Sequence, residues 1–305
     1  MARDTPTGHE EHSPPDRITR KQAAAMRAAG VGLNSLSYVA PGIAGRAATY
    51  LWFTPFPFAK AEAPRIPPGA HRVSFGSGEL VVHGYEIGDG PRTALLVHGW
   101  AGSSRQYRRM AERLVAEGYR SIVLDLPAHG LGAGGSTDVP EVAEAIEIAG
   151  DALDTIDMVV AHSLGAMSAS LAMQGSLRAE RLVLIAPALR PHQVLESFAA
   201  NLQLRPVVAN AVEDAMEARF GADIWDRIPN EILTMDAPDG TLIIQDLEDD
   251  MVPIEDTRLL AERLGAPLVT TEGHGHNGVL RASEAIDEVT TLAVAGSGSL
   301  ASSPV

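Results

Sequence analysis

The stretch Val159-Val160-Ala161-His162-Ser163-Leu164-Gly165-Ala166 sets a serine hydroxyl where a chain can make it reactive. An apolar run ends in a small residue, one residue intervenes, and two positions after the serine comes glycine, then more small side chains. Strand, small, x, Ser, x, Gly, helix is the layout of a nucleophile elbow, a sharp turn that lifts the hydroxyl above a sheet edge. Positions 161 and 165 must be small because strand and helix backbones nearly touch there; Ala161 stands where glycine is usual. Taken alone, Ser163 also reads as an ordinary helix N-cap. A serine hydroxyl is a weak nucleophile at neutral pH, so a base must take its proton during attack. Histidine suits that task, and a buried carboxylate must then fix its tautomer. Toward the C-terminus the chain supplies Asp246, Glu248, Asp249 and Asp250, then His274 and His276. Residue types alone do not choose among them. A cation site is a competing use of that acidic run, but the run lacks the glycine and spacing of a calcium loop.

Such groups need a rigid frame, and the pattern of apolar runs supplies one. Strands are expected at 71–76, 79–86, 93–97, 120–125, 157–162, 181–186, 241–246 and 267–271, and helices at 104–117, 139–154, 164–174, 255–264 and 277–293. The alternation predicts a mostly parallel sheet flanked by helices. Gly76-Ser77-Gly78 predicts an antiparallel hairpin at one edge. On helix 139–154, Val142, Ile146, Ala149 and Leu153 form one face and acidic residues the other. Residues 190–236 break the alternation; Val194, Phe198, Leu202, Val207, Val208, Val212, Met216 and Phe220 suggest two or three short helices, a small cap over the carboxyl ends of the strands. The expected organisation is a tail at 1–18, an N-terminal helical segment at 19–60 packed on the core, a main domain at 70–295 carrying the cap, and a tail at 296–305. The composition of both tails predicts disorder.

Four segments in order make the chain resemble the α/β-hydrolase family, from about Thr93 to Leu292: Leu95-Leu96-Val97-His98-Gly99-Trp100, Asp125-Leu126-Pro127-Ala128-His129-Gly130, the Ser163 turn, and Asp249-Asp250-Met251-Val252-Pro253 followed by Gly273-His274-Gly275-His276. The resemblance implies an α/β-hydrolase fold and a serine esterase or lipase-like activity through an acyl-enzyme. It implies Ser163 as nucleophile, Asp249 as the acid of a D-x-x-V-P pattern, His276 as the base of G-x-G-H, and the backbone N–H groups of Trp100 and Leu164 as the oxyanion hole. Trp100, His98 and Phe198 are the expected substrate-pocket residues. His98 and His129 also read as loop-positioning residues rather than metal ligands, Asp125 as a loop anchor and His162 as structural. The expected substrate is a small-molecule ester with a modest apolar portion. An acyltransferase, an amidase or a thioesterase would use the same residues, and a non-catalytic binding protein could keep the scaffold.

The 305 residues are 45% hydrophobic, enough for one large core, and carry 24 basic against 39 acidic side chains, a formal charge of −15. So acidic a chain repels phosphate backbones, which argues against nucleic acid as a partner. With no cysteine, disulfides, thiolate catalysis and cysteine-ligated zinc are excluded. No cofactor and no metal are expected. The first 30 residues show no apolar core behind a basic start, so a cytoplasmic location is the expectation. Residues 31–59 are apolar but broken by Pro41, Gly42 and Arg46; they suit an amphipathic segment with room for weak membrane-surface contact.

Overall fold

A computed structural model describes residues 20–55, 66–77 and 80–295. The expected tails at 1–18 and 296–305 lie outside these. The chain begins with α1 (Arg20–Ser37) and α2 (Pro41–Trp52) and continues through β1 (His71–Ser77), β2 (Leu80–Ile87), β3 (Arg92–Val97), a 3-10 turn at Ser104–Tyr107, α3 (Arg108–Ala116), β4 (Tyr119–Asp125), α4 (Val139–Asp151), β5 (Met158–His162) and α5 (Leu164–Gln174). Then come β6 (Arg181–Ile185), α6 (Pro191–Asn201), α7 (Pro206–Phe220), α8 (Ile224–Leu233), β7 (Gly240–Asp246), α9 (Ile254–Leu264), β8 (Leu268–Thr271), α10 (Gly275–Gly278) and α11 (Ser283–Ala295).

The eight strands form one sheet in the order β1-β2-β4-β3-β5-β6-β7-β8. β1 and β2 are antiparallel, as are β2 and β4; every other pair is parallel. Alternate residues of each central strand serve opposite faces. Leu95, Val97, Val159 and Ala161 pack with α4, α5, α8 and α9. Ala94, Leu96, Met158 and Val160 pack with α3 and α11. Burial on both sides explains why these strands read as unbroken apolar runs. The sheet, its flanking helices and the edge hairpin agree with expectation. The expected helix 277–293 is divided. Ala282 turns extended (φ −60°, ψ 129°) between a 3-10 turn and α11, and the apolar period runs across this break without marking it.

Where the sequence suggests a cap, α6, α7 and α8 stand between β6 and β7. α1 and α2 rest on this group: Leu33, Ala44 and Ala48 bury against Leu195, Val208 and Val212.

The carboxyl ends of β3, β5 and β7 meet at one edge, and the loops there are braced by buried imidazoles. His98 Nδ1–H donates to the Gly99 carbonyl (2.7 Å), and Nε2 accepts from the Leu126 amide (3.2 Å). His129 does the same between Pro127 and Ala101, at 2.8 and 3.0 Å. Asp125 accepts from the amides of Ser104 (2.8 Å) and Leu131 (3.1 Å). The loops after β3 and β4 are thereby locked to each other. Burial pulls the His98 imidazole down to about 4 and that of His162 down to about 3, with the nearby His276 adding to the latter.

Gly165 lies where α5 crosses the end of β3, and a β-carbon there would collide with the His98 carbonyl oxygen. Gly165→Ala is expected to cost about 3 kcal/mol, since packed backbone cannot move aside cheaply. The thermal midpoint should fall by roughly 6–10 °C; an unchanged midpoint would show that the contact is slack. The histidines give a second expectation. Their folded values lie below the ordinary 6.5, so the unfolded chain binds protons that the folded chain cannot. Their contribution is complete above pH 6.5 and is lost as pH falls toward about 4 and then about 3. The thermal midpoint should therefore drop between pH 7 and pH 5, and His162→Gln should flatten that slope.

Candidate functional site

β5 ends at His162, and the chain reverses into α5 through Ser163, whose φ is +55° and ψ −123°. A side-chain-bearing residue pays conformational strain in this region, roughly 1–3 kcal/mol. The surroundings fix it: the Ser163 amide donates to the Ile185 carbonyl (2.9 Å), and the Ser163 carbonyl accepts from Ala166 and Met167. Gly99 makes room on the other side; a β-carbon there would come within 2.9 Å of the Ser163 β-carbon. The turn thus has the geometry that the pattern of small residues requires.

Ser163 Oγ lies 2.8 Å from His276 Nε2, and His276 Nδ1 lies 2.8 Å from Asp249 Oδ2. These three side chains, drawn from a span of 113 residues between Ser163 and His276, form one hydrogen-bonded line. Asp249 has a side chain 1% exposed, and that of His276 is 6% exposed. Asp249 Oδ1 also accepts from the amides of Met251 (2.8 Å) and Val252 (2.9 Å). Burial alone would raise the Asp249 carboxyl. Hydrogen bonding and charge at His276, with the two amides, outweigh burial and hold it below the ordinary carboxylate range. The carboxylate is thus kept ionised beside the imidazole. Asp250 is exposed. His274, half-buried, turns toward Glu284 (3.6 Å).

Two neighbouring side chains build this line; the sequence offers Asp246 only as one of four acids and marks Gln245 by no motif. Gln245 is fully buried. Its amide donates to Asp249 Oδ2 and to the Val252 carbonyl, both at 3.0 Å, and its oxygen accepts from Thr257 (3.0 Å). Asp246 accepts from the Thr271 hydroxyl (2.7 Å) and from the amides of Glu248 (3.0 Å), His274 (3.3 Å) and Gly275 (2.8 Å). Gln245 thus holds the acid, and Asp246 holds the loop carrying the imidazole. Their signal is polarity: Gln-Asp directly after Leu242-Ile243-Ile244 breaks a buried strand with two groups that need partners. His162 adds a third support, its Nε2–H donating to the His276 carbonyl (2.8 Å) with the two rings 4.7 Å apart.

The remaining expected residues fall as follows. The Leu164 amide opens α5, where helix N–H groups have no intrahelical acceptor. No protein acceptor meets the Trp100 amide among the described residues. The Trp100 ring lies edge-on to His129 at 5.4 Å. His98 corrects an expectation: it is fully buried, with both ring nitrogens on backbone, and acts as a loop strut with no face to line a pocket. Phe198 packs edge-on against Trp52 at 5.3 Å, where the cap meets α2. Among the described residues no group of three or more His, Cys, Asp or Glu is placed to hold a metal ion. A hydroxyl aligned on an imidazole, and that imidazole on an ionised carboxylate, can deliver a nucleophilic oxygen and move its proton.

Comparison with known proteins agrees with this frame. An esterase from Pyrococcus furiosus matches at a TM-score of 0.61 and 18% identity, over 76% of this chain and 94% of that one. A serine hydrolase from Cycloclasticus zankles matches at 0.56 and 16%, over 77% and 100%. The thioesterase domain of the curacin biosynthetic pathway matches at 0.53 and 16%, over 74% and 99%. At these identities the likeness is one of fold. No curated protein matches the sequence. The sequence model of the alpha/beta hydrolase family matches residues 94–290. That span runs from β3 to α11 and contains Ser163, Asp249 and His276, and the chain belongs to the alpha/beta hydrolase family.

Proposed function

We propose that the chain is a serine hydrolase that cleaves a carboxylic ester, or a related acyl bond, through an acyl-enzyme. The observation that carries this reading is the line Asp249–His276–Ser163, with both links at 2.8 Å and the serine held at φ +55°.

In this mechanism Ser163 Oγ attacks the acyl carbonyl carbon while its proton passes to His276 Nε2. Asp249 accepts from Nδ1–H, fixes the tautomer that leaves Nε2 free, and stabilises the imidazolium that forms. The oxygen of the tetrahedral intermediate turns negative and is met by the Leu164 and Trp100 amides, each such donor being worth roughly 100–1,000-fold in rate. The C–O bond of the ester breaks, His276 returns the proton to the leaving alcohol, and the acyl group stays on Ser163. Water then repeats the sequence, giving up its proton to His276 and releasing the acid. Gln245 shares Asp249 Oδ2 with the imidazole, so it limits the carboxylate to the orientation that His276 needs.

Turnover of a p-nitrophenyl ester of short acyl chain tests the assignment. Ser163→Ala and His276→Gln are each expected to lower kcat by roughly 10⁴-fold or more, and Asp249→Asn by about 10⁴-fold. His274→Gln and Asp250→Asn should stay near the wild-type rate. Retained activity in Ser163→Ala would place the nucleophile elsewhere, and a dead His274→Gln beside an active His276→Gln would reverse the choice of base.

A further inference from the structure

Six of the nine exposed large apolar side chains among the described residues lie on α1, α2, the turn between them and the start of α7: Val31, Tyr38, Val39, Ile43, Tyr50 and Val207. Four of these share one end of the molecule. α2 and α7 run parallel, because Gly45 packs on Ala211, Trp52 Nε1–H points at Met216 Sδ (3.1 Å), and the Arg219 guanidinium lies over Phe53 (5.2 Å). Their first turns, with Ile43 and Val207, therefore face the same way. The α1–α2 turn joins them there. Arg205, just before α7, stacks on the Tyr38 ring at 3.9 Å and donates to Ser37 Oγ at 2.7 Å. Val39, at the tip, is 82% exposed.

The charge of these two helices opposes that of the chain. α1 and α2 contain Arg20, Lys21, Arg27 and Arg46 and no acidic residue, while the remaining residues carry 20 basic and 39 acidic side chains. Arg27 is exposed one turn before Val31, and Arg46 is exposed between Ile43 and Tyr50. Exposed valine and isoleucine, tyrosines, and arginines within one or two turns are the elements of an interfacial anchor. We propose that the α1–α2 hairpin, with the start of α7, docks on the surface of a bilayer containing anionic phospholipid. The apolar tip enters the headgroup region and the arginines meet lipid phosphates. No described helix is long and apolar enough to cross a membrane, and docking is by the surface of the hairpin. The hairpin is fixed to the cap by Asn34, which donates to the Gln203 carbonyl and accepts from the Arg205 amide, both at 2.8 Å. The bilayer therefore meets a rigid unit of hairpin and cap.

Vesicle flotation with the full chain tests this independently of any hydrolytic activity. The chain is expected to float with vesicles of phosphatidylcholine and phosphatidylglycerol, to be released by raised salt, and to float poorly with phosphatidylcholine alone. Arg27→Glu with Arg46→Glu, and separately Val39→Asp with Ile43→Asp, should each lower partitioning about tenfold or more, with unchanged circular dichroism and thermal midpoint. Three results would overturn the proposal: no flotation of the wild-type chain with either vesicle, variants that float like wild type, or a dimer in solution that Val39→Asp dissolves while vesicles bind nothing.

Discussion

The arrangement of the site depends on how closely the start of α5 can approach the end of β3. Gly165 and Gly99 have no β-carbon at the two points where one would strike the neighbouring chain, the first against the His98 carbonyl and the second against Ser163 itself. Because those backbones meet, Ser163 is forced to φ +55° and its hydroxyl points away from the sheet toward His276. The amide of Leu164 is brought near the loop that carries Trp100. A looser crossing would let the serine relax, so strain here is a condition of the geometry. The buried imidazoles of His98 and His129 serve the same constraint from the other side by tying the β3 loop to the β4 loop.

The opposite half of the site rests on two consecutive residues at the end of β7. Neighbouring side chains on a strand point in opposite directions. Gln245 reaches the acid at 249, and Asp246 reaches the loop that ends in His276. One strand terminus thus positions both partners of the imidazole–carboxylate pair, without either contact passing through a flexible surface chain. Thr257 on α9 and Thr271 on β8 complete the network from the flanking elements. The side-chain polar atoms of Gln245 and Asp246 are each matched by a donor or acceptor of the right kind, which is what lets such a network hold a single geometry.

Much of this was legible in the sequence, because the central strands are buried on both faces and read as unbroken apolar runs between helical periods. The turn at Ser163 shows in its neighbours, since the close crossing demands small residues at fixed offsets, but those neighbours alone also fit a helix N-cap. Asp249 and His276 could not be picked out this way: four acids and two histidines compete within short loops, and the resemblance to the family made the choice. Gln245 and Asp246 were visible only as polar residues ending an apolar strand, and their partners are set by loop paths that no local pattern records. The same holds for α1 and α2. Their sequence shows an apolar segment carrying arginines, but that they lie on the cap depends on contacts with α6 and α7 that are remote in the chain, such as Trp52 with Phe198. His98 was misplaced in a pocket because a histidine in a loop looks available until its two backbone partners are known.

Trapping of the acyl group tests the central claim most directly. Rapid mixing with an activated short-chain ester, acid quench and intact mass measurement should show one added acyl group, which peptide mapping places on Ser163. Loss of that adduct in Ser163→Ala, with the fold retained, is the predicted companion result. An acyl group found on another side chain, or ester hydrolysis that proceeds with no covalent adduct under conditions that slow deacylation, would contradict the account.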